Sequence, residues 1–160
     1  MWKRLQLVFW IFSLFILLGC GTGVAHAAQV GGSRASDSPP GTFGKFVGTW
    51  VAHGAFLVVA SDGSVKFEAR TYNWCGPQVA QPCDFIKKNT IFYGYHEQLA
   101  LTNTNDSIAY GTVIASNDSP EKLNTPITLT LGPNDTLYYT NQASITVLCG
   151  PAAPAGTCGA

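Results

Sequence analysis

Between Phe43 and Cys158 no stretch carries apolar residues at the i, i+3, i+4 spacing of a helix. The apolar residues fall instead into short runs, or alternate with polar ones, and Gly, Pro, Asn and Asp cut them apart. Val65-Lys66-Phe67-Glu68-Ala69-Arg70 has the period-2 pattern of a half-buried strand. The run before it, 55–60, reads as a more buried strand. Asp62-Gly63 between them signals a hairpin in which both central residues need positive φ. A second hairpin repeats the plan: 127–131, the turn Gly132-Pro133-Asn134-Asp135, then 136–139. Further strands are expected at 45–52, 90–95, 97–103, 108–115 and 144–149, and 84–88 reads as a single turn at most. The expected fold is all-β: an antiparallel meander of about eight or nine strands, closed as a small barrel or folded as a sandwich.

The N-terminal region is of another kind. Lys3 and Arg4 precede a fourteen-residue apolar run, Leu5 to Leu18, broken only by Gln6 and Ser13. Small residues follow. This is the order of a secretory signal peptide, and the run is shorter than the roughly 20 residues of a membrane-spanning helix. Two processing sites compete. Ala25-His26-Ala27 fits cleavage before Ala28. Leu17-Leu18-Gly19-Cys20 fits a bacterial lipobox, in which Cys20 is lipidated and attaches the protein to a membrane. Simple secretion is the preferred reading. The expected organisation is a signal peptide over 1–27, a flexible linker over 28–42 rich in Gly, Ser and Pro, and one β-domain over 43–160.

Export settles two other matters. Removing Lys3 and Arg4 leaves seven basic residues against nine acidic, a net charge of −2. No basic patch exists to neutralise phosphates, which argues against nucleic-acid binding. The five cysteines become four once Cys20 is set aside, and an oxidising compartment favours disulfides. Cys75–Cys83 and Cys149–Cys158 are the preferred pairs, because each closes a short segment rich in turn residues. Cross-stapling of the two segments is the alternative. The four lack a C-x-x-C element, so no metal or cofactor is expected.

Phe46-Val47-Gly48-Thr49-Trp50 resembles the F-x-G-x-W opening strand of lipocalin-like barrels, which implies a Trp packed across a closed barrel end. A broader set is similar to small exported proteins of actinobacteria and their relatives: Gly48-Thr49-Trp50, Arg70-Thr71-Tyr72, Pro82-Cys83-Asp84, Leu148-Cys149-Gly150-Pro151 and Cys158-Gly159-Ala160. That resemblance implies export and two disulfides, and it brings no activity with it.

Catalytic patterns are missing. His96-Glu97 is not followed by a second His at H-E-x-x-H spacing, and no G-x-S-x-G elbow or phosphate loop occurs. Glu68, Asp84 and Glu97 are the carboxylates a glycosidase would draw on, but Glu68 reads as part of a solvated strand face. The aromatic stretch Tyr72, Trp74, Phe85, Phe92, Tyr93 and Tyr95 reads as core. Tyr72 and Trp74, with Arg70 beside them, are the best candidates for exposure and for ligand binding. The three N-x-[ST] matches at Asn105, Asn117 and Asn134 read as turn chemistry. The expected function is therefore a non-enzymatic binding or interaction domain of the cell envelope, taking a small apolar ligand or an envelope partner. Two alternatives stand beside it: a secreted hydrolase using Glu68, Asp84 or His96, and an inhibitor presenting the Cys75–Cys83 loop.

Overall fold

Alternating short strands with tight polar turns can bury one face by curling the sheet on itself, and the chain does so. The computed structural model describes residues 43–159. The expected signal peptide, the linker and the lipidation candidate Cys20 lie outside them. Ten strands occur: β1 (Gly48–Ala52), β2 (Ala55–Val59), β3 (Ser64–Ala69), β4 (Phe85–Lys87), β5 (Thr90–Phe92), β6 (Tyr95–Asn105), β7 (Ile108–Ser116), β8 (Pro126–Gly132), β9 (Thr136–Thr140) and β10 (Ile145–Cys149). Eight of them close into an antiparallel barrel, in the order β1-β10-β9-β8-β7-β6-β3-β2. The barrel alternative thus holds over the sandwich. The only helical element among the described residues is a 3-10 turn, Pro120–Lys122.

Inward positions of all eight barrel strands meet in one core. Leu57, Leu99, Leu129, Leu137 and Leu148 have no exposed surface, and Val59, Val65, Leu101 and Val113 almost none. An eight-stranded barrel is just wide enough for its own side chains to fill. Here the inward leucines and valines pack against one another in a single cluster.

One end is plugged by the residues that precede β1. Phe43 and Phe46 are buried, and Trp50 Nε1 donates to the Phe46 carbonyl at 2.8 Å. Trp50 is itself buried and is tied by this bond to the plug. The β2–β3 turn sits against this plug. Only Gly63 takes positive φ there (84°), not Asp62 as well. Gly63 N donates to Ala60 O, and Ala60 N donates to Ser64 O. The turn is thus a type I turn followed by a left-handed residue that forms a bulge. The Asp62 carboxylate accepts from Ser64 N and Oγ, which an Asp with ordinary φ can do.

Two expectations about the middle of the chain are corrected. The segment 84–88 is not a turn: Phe85–Lys87 is a strand that pairs with Thr90–Phe92. The strand expected at 90–95 is two pieces, because Phe92 ends β5 and Tyr95 begins β6. This β4–β5 hairpin forms its own two-stranded sheet and pairs with no barrel strand. Its connection, Lys88-Asn89, has positive φ at both residues (49° and 61°). That is the primed turn which matches strand twist, built here without glycine.

Both preferred disulfides form, with Cα–Cα distances of 5.1 Å for Cys75–Cys83 and 5.8 Å for Cys149–Cys158. The second reinforces the barrel seam. β1 and β10 share a single register pair, Val51 with Cys149. The strap after β10 returns so that Cys158 O accepts from His53 N in the β1–β2 turn.

Candidate functional site

The segment between β3 and β6 leaves the barrel at Arg70 and returns at Tyr95, at the end opposite the Phe43–Phe46 plug. Asp84 holds it to the body. Its carboxylate is fully buried and accepts from Arg70 Nε (2.7 Å), Thr71 N (3.0 Å), Thr71 Oγ1 (3.2 Å), Tyr72 N (3.0 Å) and Gly94 N (2.8 Å). Burial alone would raise this carboxyl group's pKa. The Arg70 guanidinium and the N–H groups of Thr71, Gly94 and Tyr72 outweigh it and hold the group well below the usual carboxylate range. Gly94 is required at the return point, because a Cβ there would run into the Cys83 backbone.

The same guanidinium organises the aromatic residues. Arg70 Cζ lies 4.8 Å from the Tyr72 ring centroid and 5.0 Å from that of Trp74. All three residues singled out as ligand-binding therefore come together in one stack. Arg70 is largely covered, whereas Tyr72 and Trp74 are about half exposed. Tyr72 takes a left-handed φ of 58°, uncommon for a bulky side chain. The bond from its N–H to Asp84 keeps it there.

The aromatic stretch is mostly not core. Phe85 and Phe92 stack on one another, with centroids 4.8 Å apart and planes inclined by 4°, yet each remains more than 40% exposed. Ile86 and Ile91, the next cross-strand pair, are 59% and 40% exposed. From Phe85 to Phe92 every residue is exposed. The expectation of burial fails because the hairpin folds on itself and offers both its faces to solvent. Tyr93 and Tyr95, nearer the barrel, are partly buried.

A second constellation lies at this barrel end. Glu97 is buried inside the barrel, where the Tyr95 hydroxyl donates to one carboxyl oxygen and the Tyr139 hydroxyl to the other, at 2.6 Å. Lys122 Nζ donates to the Tyr95 hydroxyl at 2.9 Å, lies 4.6 Å from that ring centroid, and pairs with Asp118 at 2.8 Å. Burial, then the Glu97 contact, raises both phenols far above their ordinary range, so they stay neutral donors. A cleft of about 270 Å³ opens above Glu97, rimmed by Ser119, Glu121, Lys122, Thr125 and Asn141. The parity of Glu97 with Leu99 and Leu101 pointed it inward. Nothing in the sequence paired it with Tyr139, which is 42 residues away.

The hydrolase candidates are distributed differently. Asp84 is committed to the anchor. His96 Nδ1 and Glu68 Oε2 come within 3.6 Å as a cross-strand pair, both open to solvent on the outer wall. Among the described residues no group of three or more His, Cys, Asp and Glu side chains could hold a metal ion. The N-x-[ST] segments sit at turns, with positive φ at Asp106, Asn134 and Asp135. The Cys75–Cys83 loop is exposed over 76–81.

No protein-family model matches the chain, and neither a curated protein nor a solved structure matches it.

Proposed function

We propose that the chain is an exported cell-envelope binding domain without catalytic function, and that the excursion between β3 and β6 is its contact surface. The leader pattern and the two disulfides support export. The barrel core is packed with its own leucines and valines, which favours recognition on the surface over an enclosed ligand. One observation carries the choice of surface: eight consecutive exposed residues, Phe85 to Phe92, include four large apolar side chains. Exposed apolar groups clustered in this way mark interaction sites. The Asp84 anchor and the first disulfide hold the excursion in one geometry, so little ordering entropy is lost on contact. The hydrolase alternative has in its favour the Glu68–His96 pair on the outer wall.

The test is hydrogen–deuterium exchange of the purified protein with and without an envelope fraction. Protection confined to 72–92 is expected. Protection elsewhere, for example along the roughly 610 Å³ groove beside β1 and Pro151, would overturn the choice of surface.

A further inference from the structure

We infer that the β4–β5 hairpin docks on the surface of an anionic lipid bilayer. The inference rests on the reading of the excursion as the contact surface and names what that surface touches. Three observations point to lipid. First, the hairpin is apolar on both faces. Strand alternation puts the Phe85/Phe92 pair on one face and the Ile86/Ile91 pair on the other, and all four are 40% to 59% exposed. A protein partner seated on one face leaves the other in water, whereas an interfacial lipid layer surrounds both.

Second, charge is divided. The tip carries Lys87 and Lys88, both exposed. Arg70 and Asp84 neutralise each other. The remaining described residues hold three lysines against seven Asp and Glu. An anionic surface therefore attracts the hairpin and repels the barrel, which orients the molecule with its excursion toward the membrane. Third, Tyr72 and Trp74, half exposed at the base of the excursion, are the residue types that settle at the headgroup level.

The test uses the full chain with Cys20→Ser and an environment-sensitive fluorophore on Ile86→Cys. A control carries the same probe on Ile114→Cys, on the outer wall of β7, where Ile114 is 52% exposed. Both are mixed with vesicles of phosphatidylcholine alone or with phosphatidylglycerol added. A blue shift at position 86 on the mixed vesicles, absent at 114 and weak on neutral vesicles, is the expected result. Lys87→Ser with Lys88→Asn removes both charges and leaves Asn at the left-handed turn position 88. It should weaken affinity for the mixed vesicles on the order of thirtyfold, at about 1 kcal/mol per lysine. Phe85→Ser with Phe92→Ser should abolish the shift while near-UV circular dichroism of the barrel persists. No shift at 86, or equal shifts at 86 and 114, overturns the lipid assignment. If the probe at 86 is silent on vesicles but responds to envelope proteins or to a second copy at high concentration, lipid is excluded and the contact surface stands. Silence in every mixture overturns both.

Discussion

Asp84 accepts five hydrogen bonds from four residues, and those residues lie on both the outgoing and the returning arm of the excursion. Removing one partner of a buried charge pair leaves the other uncompensated. Asp84→Ala should therefore cost about 3 kcal/mol or more. It should also strip exchange protection from the amides of Thr71, Tyr72 and Gly94, and unchanged protection there would contradict the anchoring role. The pH dependence follows from the lowered pKa of Asp84. The stabilisation is fully present above the unfolded value of about 3.9 and is lost as pH falls through the lower folded value. Amide protection, corrected for intrinsic exchange, should stay flat down to about pH 4 and decline below it. Tyr95 and Tyr139 behave in the opposite sense. Their raised pKa values stabilise the fold below the ordinary phenol value of about 10, and that contribution is lost as pH rises through the folded values. Their phenolate absorbance should appear only as the fold is lost. Tyr139→Phe should abolish its share of that late signal and cost about 1–3 kcal/mol, because a Glu97 oxygen loses its donor. Cys83-Asp84 and Glu97 were visible in the sequence as residue types. Their partners were not, because Arg70, Gly94 and Tyr139 reach them only through the curvature of the sheet.

At the scale of elements, the two disulfides should behave differently. Each closes a loop of similar length, so the chain-entropy contribution is about 2.5 kcal/mol for both. Cys149–Cys158 sits at the seam, where β1 and β10 share one register pair. Changing both of its cysteines to Ser should lower the denaturant midpoint and speed exchange in β1 and β10. Changing Cys75 and Cys83 to Ser should loosen 72–92 while leaving barrel exchange largely intact. Equal spread of exchange in both variants would show that the excursion and the barrel unfold as one unit. Most strands were readable from alternation and turn residues, and the hairpin at 55–69 was placed within a residue or two. The β4–β5 hairpin was not, for two physical reasons. Its turn, Lys88-Asn89, reaches the left-handed region without glycine, so the usual signal is missing. Its strands also show no polar–apolar alternation, because neither face packs on the core.

For the whole molecule, the organisation around the barrel has a direct check. Intact mass of the exported protein before and after reduction should differ by about 4 Da, two hydrogens for each disulfide. A diacylglyceryl mass on Cys20 would decide for lipid attachment, and an N-terminus at Ala28 for simple secretion. The sequence by itself determined that this chain builds short antiparallel strands, since period-2 patterning and turn residues are local properties. It also narrowed the cysteine pairing to two local bridges or a cross-staple, and the structure decided for the local bridges. Closure was decided only in three dimensions, because the single Val51–Cys149 pair that joins first strand to last depends on accumulated twist and stagger. So was the fate of the aromatic residues. Whether Phe85 and Phe92 enter the core or face solvent depends on what the barrel has already filled with its own leucines and valines, and that is a property of the packed volume.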